Sequence, residues 1–381
     1  MAKTKTGKQQ PPKNSFNIFG KTWIIFACLL IFAPAGIYLL WKNKKFDPAI
    51  RLILSALFGL VFLYNSWYWF SPNIEPKPSP TPSGQTSPSS STSSDNLPSD
   101  QPQTSPTQPQ EYIPPVLPSP DFSSNRLLKV HYLDVGQADS IVIQTPEGNT
   151  LLVDGGNRDD SDFIITYLKD LGVNELYAVI ATHPHEDHIG GLQKVMKSIP
   201  VKNFYMPEVS HTTKTFETLV EAVERSGAKK IAAKVGKSIP TDELYLSMIF
   251  LAPNSSKYEG LNNYSAVLKL AYKDISFLFT GDAEKLSEKE MLDNNRNINA
   301  TVLKVGHHGS KTSSSPDFLE AVKPTYAVIS CGQDNEYGYP HSESIENLNK
   351  AGTNILRTDV LGTLVIETDG EKLGINKVLS P

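Results

Sequence analysis

Cysteine is almost absent from the sequence: Cys28 and Cys331 are the only two among 381 residues. They lie far apart in regions of different composition, which excludes a disulfide framework and a cysteine-ligated zinc site. Charge of one sign is not in large excess either, since the formal net charge is −4. Residues 126–381 are acidic, with 26 Lys and Arg against 34 Asp and Glu, which disfavours a generic polyanion-binding domain. Any metal ion must therefore be held by histidine and carboxylate.

Two long apolar stretches lie near the amino terminus, in residues 22–41 and 49–70. Each has about the 20 residues that a helix needs to cross a bilayer, with tryptophan or tyrosine at the ends. The pattern predicts two transmembrane helices within residues 22–70, after a basic tail over residues 1–21. A cleaved signal peptide followed by one anchor is the alternative, but the first stretch ends without a small-residue cleavage site.

A biased segment follows, because residues 71–125 contain 14 prolines, 14 serines and 5 threonines and almost no large apolar side chains. Such a composition buries too little surface to fold, and it predicts a disordered linker. Lysines lie both before the first span and between the spans, so the positive-inside rule is nearly balanced. Because such tethers are typical of domains held outside a membrane, we expect a multi-pass cell-membrane protein with an extracellular domain. The opposite orientation stays open.

Residues 126–381 have the size and the pattern of one folded domain. Three apolar strands follow in rapid succession, over residues 127–134, 139–145 and 149–156, and their short turns predict an antiparallel meander. Helices and strands then alternate, beginning with a helix over 162–171 and a strand over 176–182. This order predicts an α/β domain with layers of helix, sheet, sheet and helix.

The most informative stretch is THPHEDHIGG, residues 182–191. It follows an apolar strand and places His183, His185, Asp187 and His188 within six positions. The first two imidazoles can converge on one cation, whereas Asp187 and His188 begin a helix and point toward a neighbouring position. Imidazole combined with carboxylate is typical of zinc, and less often of iron or manganese. The alternative is a solvated polar turn in which Asp187 caps the helix.

This stretch resembles the HxHxDH signature of the metallo-β-lactamase superfamily. Within that superfamily, residues 127–381 resemble the C-terminal hydrolase domain of the ComEC competence proteins. Six ordered segments carry the resemblance: LDVGQADS (133–140), LLVDGG (151–156), NNYSAVLKL (262–270), FTGDAE (279–284), LKVGHHGSKTSSS (303–315) and RTDVLGTL (357–364). The sequence departs from the family at Ala138, where glycine is usual, and at Tyr339, where histidine is common.

The resemblance implies a metallo-β-lactamase-like αββα sandwich with two divalent ions, zinc foremost and manganese second. Asp282 would bridge the ions; one ion would bind His183 and His185, and the other Asp187, His188 and His307. Two such ions would turn a shared water into hydroxide at neutral pH and hold oxygens of the group under attack. The interval between the HxHxDH turn and Asp282 contains no histidine except His211. The first position is therefore expected to rely on the amide of Asn263, and a weaker ligand set would leave a mononuclear site.

His307 and His308 are adjacent, and neighbouring side chains in extended backbone point to opposite faces. We therefore expect only one of them, His307, to bind metal. His308 is then expected either to support a metal ligand or to face the substrate, and we assign catalytic roles to Asp187, Asp282 and His308.

Several polar residues are expected to act around the ions. Asp134, Asp139 and Asp154 are predicted to orient the ligand loops through hydrogen bonds rather than to bind metal, with plain turn chemistry as the alternative. Asn263, Ser310 and Lys311 are predicted to contact the substrate. The hydroxyls, the ammonium and a helix beginning near Ser315 favour a phosphate group, whereas the bland interpretation is a helix-capping serine run.

These features predict a membrane-tethered, metal-dependent hydrolase, a phosphodiesterase or nuclease whose substrate could be single-stranded DNA. Lys304, Lys311 and Lys269 would supply local positive potential for a nucleic acid. A hydrolase of cell-wall phosphate esters and a non-catalytic tethered binding module are the alternatives, and a β-lactam substrate is disfavoured. Redox chemistry at two irons would need a flavin domain, which nothing here resembles, so no cofactor protein is expected as a partner.

Overall fold

The structure, a computed structural model, describes residues 112–122, 124 and 126–378. The predicted basic tail, the two predicted membrane spans and most of the predicted linker lie outside the described residues. Within the described ranges, no helix is both long and apolar enough to cross a membrane.

The described residues form two sheets. The strands, in chain order, are β1 Leu128–Tyr132, β2 Ile141–Gln144, β3 Thr150–Val153, β4 Leu176–Ile180, β5 Val201–Met206, β6 Lys229–Ala232, β7 Leu246–Phe250, β8 Leu268–Tyr272, β9 Ile275–Phe279, β10 Val302–Lys304, β11 Tyr326–Ile329, β12 Asn354–Arg357, β13 Thr363–Thr368 and β14 Leu373–Val378. The first sheet has the order β14-β13-β1-β2-β3-β4-β5-β6, and the second has the order β12-β11-β10-β9-β8-β7. The predicted meander is confirmed, because β2 pairs antiparallel with both β1 and β3.

Helices cover the outer faces of both sheets. Among the described residues they are α1 Ser161–Asp170, α2 Glu186–Ile189, α3 Leu192–Ser198, α4 Lys214–Ser226, α5 Lys285–Asp293, α6 Pro316–Val322, α7 Ser342–Lys350 and α8 Thr358–Leu361. Helices α1, α3 and α4 pack their apolar faces on the first sheet, where Ile164, Leu192 and Leu219 are buried in one cluster. Helices α5, α6 and α7 pack on the second sheet through residues such as Met291 and Phe318.

The central core lies between the two sheets. Alternate residues of each strand point into it, as the period of two requires: Leu128, Val130 and Tyr132 from β1 meet Phe277 and Phe279 from β9. The intervening residues face the helices; Leu278, for example, packs in the cluster under α5 and α6. Burying each large apolar side chain contributes about 1.5–3 kcal/mol. The layers are helix, sheet, sheet and helix, so the predicted αββα sandwich is confirmed.

The polar loops gather at one edge of the sandwich because the strands before them run in the same direction. β3 and β4 are parallel in the first sheet, and β9, β10 and β11 are parallel in the second. Loops that leave the carboxyl ends of parallel strands meet along one crevice. The residues delivered there are Asp154 after β3, His183–His188 after β4, Asp282 after β9, and His307 and His308 after β10.

Residues 112–122, on the linker side of the predicted boundary at residue 126, contact the domain. The Tyr112 hydroxyl donates to the carbonyl of Ile355 at 2.8 Å, and the amide of Ile375 donates to the carbonyl of Pro118 at 2.8 Å. The last part of the proline-rich segment is therefore packed against the edge strands β12 and β14.

Candidate metal centre

Histidine and aspartate side chains form three overlapping groups at this edge. One is Asp139, Asp154 and His188, and the other two, called the first and the second group below, share Asp282. The first group is His183, His185 and Asp282, and the second group is Asp187, His188, Asp282 and His308. Within each group, one nitrogen or oxygen of every member lies within 4.8 Å of those of the others. Asp282 belongs to both groups. Its carboxylate therefore lies where the family resemblance implies a bridge between two ions.

In the first group, the two imidazoles face each other. Nε2 of His183 lies 2.9 Å from Nδ1 of His185 and 3.7 Å from Oδ2 of Asp282. Nδ1 of His183 is on the far side of the ring, 3.2 Å from the Thr182 hydroxyl. Burial lowers the pKa of His183 well below its usual value and also lowers that of His185. Both rings are therefore neutral at pH 7, which is the form of imidazole that binds metal.

In the second group, backbone and carboxylate partners fix the rings. Nδ1 of His308 donates to the carbonyl of Ser330 at 2.9 Å, and Nδ1 of His188 donates to Oδ2 of Asp154 at 2.8 Å. These bonds leave each Nε2 directed at the carboxylates. Nε2 of His188 lies 3.2 Å from Oδ1 of Asp282, and Nε2 of His308 lies 3.2 Å from Oδ2 of Asp187.

The carboxylates make the crevice negative. Burial would raise the pKa of Asp282, but the imidazoles of His188 and His308 hold it well below its usual value. Burial works against the charged form of His188, yet the carboxylates of Asp282, Asp187 and Asp154 raise its pKa well above the usual range. A cation is therefore favoured at this position.

Two buried atoms of the second group have no hydrogen-bond partner among the described residues: Nε2 of His188 and Oδ1 of Asp282. A buried polar atom without a partner costs about 1–3 kcal/mol. A divalent cation between these atoms would satisfy both. The donor set, imidazole nitrogens with carboxylate oxygens, suits zinc best and manganese next, so the residues fit the metal ions that the sequence implies.

Asp154 supports the second group through hydrogen bonds. Besides His188, it accepts hydrogen bonds from the amide of Thr182 at 2.8 Å and from its hydroxyl at 2.7 Å. The carboxylate thus holds the start of the THPHEDH loop and one ring of the centre together. Asp154 has a positive φ of 57°, an uncommon conformation for a residue with a side chain.

Asp139 lies deeper and pairs with a lysine. Its Oδ2 is 2.9 Å from Nζ of Lys304, and neither side chain is more than 2% exposed. Its Oδ1 is 3.7 Å from Nδ1 of His308. Asp134, in contrast, stays in its own turn, where it accepts a hydrogen bond from the amide of Gly136 at 3.4 Å.

The structure brings His308, rather than His307, into the second group. Nε2 of His307 also lies 3.7 Å from Oδ2 of Asp282. His308 is 1% exposed and belongs to the second group, whereas His307 lies outside both groups and is 19% exposed. Nδ1 of His307 is 3.2 Å from the Thr312 hydroxyl and 3.5 Å from Oε1 of Glu284. The reason is the backbone, which is not extended here: both histidines have positive φ, 49° and 52°, in a tight turn.

The residues predicted to contact substrate are not brought together. The Asn263 side chain accepts hydrogen bonds from the amides of Glu284 and Ser287, both at 3.3 Å, and so caps α5 instead of facing the two groups. Ser310 is buried, with its hydroxyl 3.1 Å from that of Thr312, and Lys311 is exposed.

The start of α6, expected to attract phosphate, already holds an internal anion. The carboxylate of Glu288 accepts hydrogen bonds from the amides of Ser314 and Ser315. Two of the lysines expected to provide positive potential are also committed elsewhere. Lys304 is fully buried against Asp139, and Nζ of Lys269 donates to the carbonyl of Asn297 at 3.0 Å.

Sequence reasoning missed Glu284 and the pairing of Lys304. Glu284 stands two residues after Asp282, in the FTGDAE segment, and this proximity was the available signal. The signal for Lys304 was a lone lysine inside an apolar strand, because a lysine is almost never fully buried unless it is paired.

Comparison with known proteins identifies the domain. The family model described as metallo-beta-lactamase superfamily matches residues 133–333. The chain belongs to the metallo-beta-lactamase superfamily. This membership agrees with the αββα sandwich and with the position of the histidine and aspartate groups at the carboxyl ends of the strands.

Two of the similar proteins are a ComE operon protein and a competence protein. ComE operon protein 3 of Bacillus subtilis is 32% identical over 253 residues, which cover 62% of this chain and 32% of the relative. Competence protein ComA of Neisseria gonorrhoeae is 33% identical over 235 residues, which cover 61% of this chain and 31% of the relative. This chain thus spans about a third of the length of these relatives, and the resemblance to ComEC-type proteins is confirmed.

Among solved structures, the metallo-beta-lactamase fold protein YhfI of Bacillus subtilis is similar, with a TM-score of 0.45 and 14% identity. The similarity covers 64% of this chain and all of YhfI.

Proposed function

We propose that the metallo-beta-lactamase domain of this chain is a metal-dependent phosphodiesterase that cleaves single-stranded DNA. One observation carries the proposal: Asp282 is shared by two histidine and carboxylate groups, and its Oδ1 has no hydrogen-bond partner among the described residues. A structural zinc site is closed by four ligands and does not need a shared carboxylate. The arrangement favours a binuclear catalytic centre.

The position of each histidine and aspartate indicates which of the two ions it would hold. His183, His185 and Asp282 would hold one ion, and Asp187, His188 and His308 would hold the second together with Asp282. This assignment exchanges the sequence-based roles of His307 and His308. Divalent ions held there would supply a water-derived nucleophile at neutral pH and Lewis acidity toward phosphoryl oxygens.

Three residues at the open side of the centre, Asp187, His307 and Tyr339, would act on the attacking water or on the substrate. The side chain of Asp187 is 31% exposed, whereas that of Asp282 is 2% exposed, so Asp187 would accept a hydrogen bond from the attacking water and orient it. His307 is partly exposed, and its Nε2 lies 3.4 Å from the hydroxyl of Tyr339. The imidazole of His307 and the hydroxyl of Tyr339 would donate hydrogen bonds to the phosphate that is cleaved.

The proposal extends to the location of the enzyme. The apolar stretches of residues 22–41 and 49–70 support a multi-pass cell-membrane protein, and the proline-rich segment supports an extracellular domain. The competence relatives support a role in DNA uptake. Protease added to intact cells should remove the domain; protection until the cells are lysed would place it inside.

The activity is tested with the purified chain, loaded separately with zinc and manganese. We expect cleavage of bis-p-nitrophenyl phosphate and of an end-labelled single-stranded DNA, with up to two ions bound per chain. Asp282→Ala and His185→Ala should lose turnover while retaining the circular dichroism of the parent. Asp162→Ala is the matched control, because that aspartate is 79% exposed on α1, in an ion pair with Lys194.

Unchanged turnover in Asp282→Ala would refute the mechanism. Cleavage of teichoic-acid-type phosphate esters without cleavage of DNA would reassign the enzyme to the cell wall. Metal binding without hydrolysis of any of these substrates would favour a tethered binding module.

A further inference from the structure

We propose that Tyr337 and Tyr339 form an aromatic platform beside the metal centre that stacks an unpaired base of single-stranded DNA. The inference rests on the proposed function and names what would hold the strand next to the bond that is cleaved.

The two tyrosine rings continue outward from the buried histidine of the second group. The ring of Tyr339 lies 6.3 Å from that of His308, with 19° between the planes. The ring of Tyr337 lies 5.5 Å from that of Tyr339, with 18° between the planes. Three rings are therefore nearly parallel, and the outermost residue, Tyr337, is 58% exposed. Because Tyr337 is mostly exposed, its ring is accessible to a further planar group.

The loop that carries the platform is held before any ligand binds. The side chain of Asn335 accepts a hydrogen bond from the amide of Tyr339 at 2.9 Å and donates to its carbonyl at 2.6 Å. The amide of Gly338 donates to the carbonyl of Asn335 at 3.1 Å, and the positive φ of Gly338, 68°, suits glycine in this turn.

The platform loop is also tied to the turn that carries the metal-centre histidines. The amide of His341 donates to the carbonyl of Gly309 at 2.9 Å, and the amide of Lys311 donates to Nδ1 of His341 at 3.0 Å. A platform fixed in this way loses little conformational entropy when a ring stacks on it.

Stacking fits the charge of this domain better than phosphate recognition does. Residues 126–381 carry 34 acidic against 26 basic side chains, and Lys304 and Lys269 are bound within the protein. Base stacking on an aromatic side chain needs no positive surface and accepts every base, because each has a π face. A duplex hides those faces, so the platform selects unpaired strands. Removal of one such aromatic weakens binding roughly tenfold or more per base.

The test compares one oligonucleotide with the same strand carrying abasic residues. The full chain, loaded with its activating metal, should cleave the base-bearing strand with a kcat/KM roughly tenfold above that of the abasic strand. Tyr337→Ala should bring this ratio close to one, and Tyr337→Phe should keep it. Tyr245→Ala is the control, because Tyr245 is also exposed, at 66%, but precedes β7 at the opposite edge of the second sheet.

A ratio unchanged in Tyr337→Ala, or a ratio near one in the parent, would overturn the platform. An RNA strand cleaved with the same dependence on Tyr337 would support the platform and widen the substrate to RNA. If the parent cleaves neither strand, the proposed function fails, and fluorescence anisotropy decides about the platform alone. Tighter binding of the base-bearing strand that is lost in Tyr337→Ala would support it, and equal binding of both strands would refute it.

Discussion

Two buried histidines of this domain, His131 and His188, have opposite surroundings. His131 lies in β1 and is 3% exposed; its Nδ1 is 2.9 Å from the Tyr167 hydroxyl, and its Nε2 is 3.2 Å from Oε1 of Gln144. Burial lowers the pKa of His131 to about 4. His188 is fully buried but has four carboxylates within 4 Å of its ring nitrogens. Three of them, those of Asp282, Asp187 and Asp154, raise its pKa.

The difference shows what distinguishes a metal centre from an ordinary buried polar cluster. Both nitrogens of His131 have neutral partners, so nothing is missing from its cluster. Nε2 of His188 has no hydrogen-bond partner within the part of the chain that the structure describes, and the nearby carboxylates carry charge that a buried environment disfavours. Burial of histidine is common to both places, whereas a ring nitrogen without a partner among the described residues and a surplus of nearby carboxylates are found at His188 and not at His131.

The largest expected effect is on catalysis. Asp282→Asn should lower kcat/KM for a phosphodiester at least about 1,000-fold, because the ions supply several kcal/mol of transition-state stabilisation. His131→Gln, in the other cluster, should leave kcat/KM within about twofold. Steady-state kinetics at saturating zinc measure both variants, and similar losses would remove the distinction between the clusters.

The next effect is on stability and compares two lysine ion pairs. Lys304→Met leaves the buried carboxylate of Asp139 without its partner and should lower the free energy of unfolding by about 3 kcal/mol or more. Lys129 pairs with Glu367 at 2.6 Å but is 40% exposed, so Lys129→Met should cost less than about 1 kcal/mol. Urea unfolding measures both values. Equal losses would show that Lys304 and Asp139 are not a buried pair.

The third prediction concerns pH. His131 has a pKa of about 4 in the folded chain against an ordinary value of 6.5, so the unfolded chain binds its proton more readily. The stability from this difference is complete above pH 6.5 and is lost as the pH falls toward 4. Between pH 7 and pH 5 the loss is about 2 kcal/mol. Over the same pH range, the free energy of unfolding of His131→Gln should fall by about 2 kcal/mol less than that of the parent. A variant with the same pH dependence as the parent would contradict the low pKa of His131.

The smallest effect comes from removing the partner of one ring nitrogen in each cluster. Asp154→Asn takes the carboxylate from Nδ1 of His188 and should weaken zinc binding roughly tenfold. Tyr167→Phe takes the hydroxyl from Nδ1 of His131 and should leave zinc binding unchanged. Zinc affinity is measured by competition with a chelating dye. A weaker zinc affinity in Tyr167→Phe would show that the two clusters are coupled, although the structure keeps them separate.

Much of the fold could be predicted because its signals are local. The apolar runs of β1, β2 and β3, with turn residues between them, were enough to predict the meander. The HPHEDH spacing by itself indicated a metal site. Asp282 lies almost a hundred residues further along the chain, and only the resemblance to a family connected it to that site.

The rest depends on contacts and conformations that a linear pattern does not carry. His308 enters the second group because two consecutive residues adopt positive φ, a conformation not expected of histidine. Glu288 fills the start of α6, which looked like a phosphate site from its serines alone. The buried partner of Lys304 is Asp139, more than 160 residues earlier in the chain.

The central claim is that Asp282 joins two metal positions. Anomalous diffraction at the zinc edge, from crystals of the chain grown with zinc, tests it most directly. We expect two peaks: one within bonding distance of His183, His185 and Asp282, and one within bonding distance of Asp187, His188, His308 and Asp282. Peaks that lie away from Asp282, or an Asp282 carboxylate turned away from the histidines, would contradict the account.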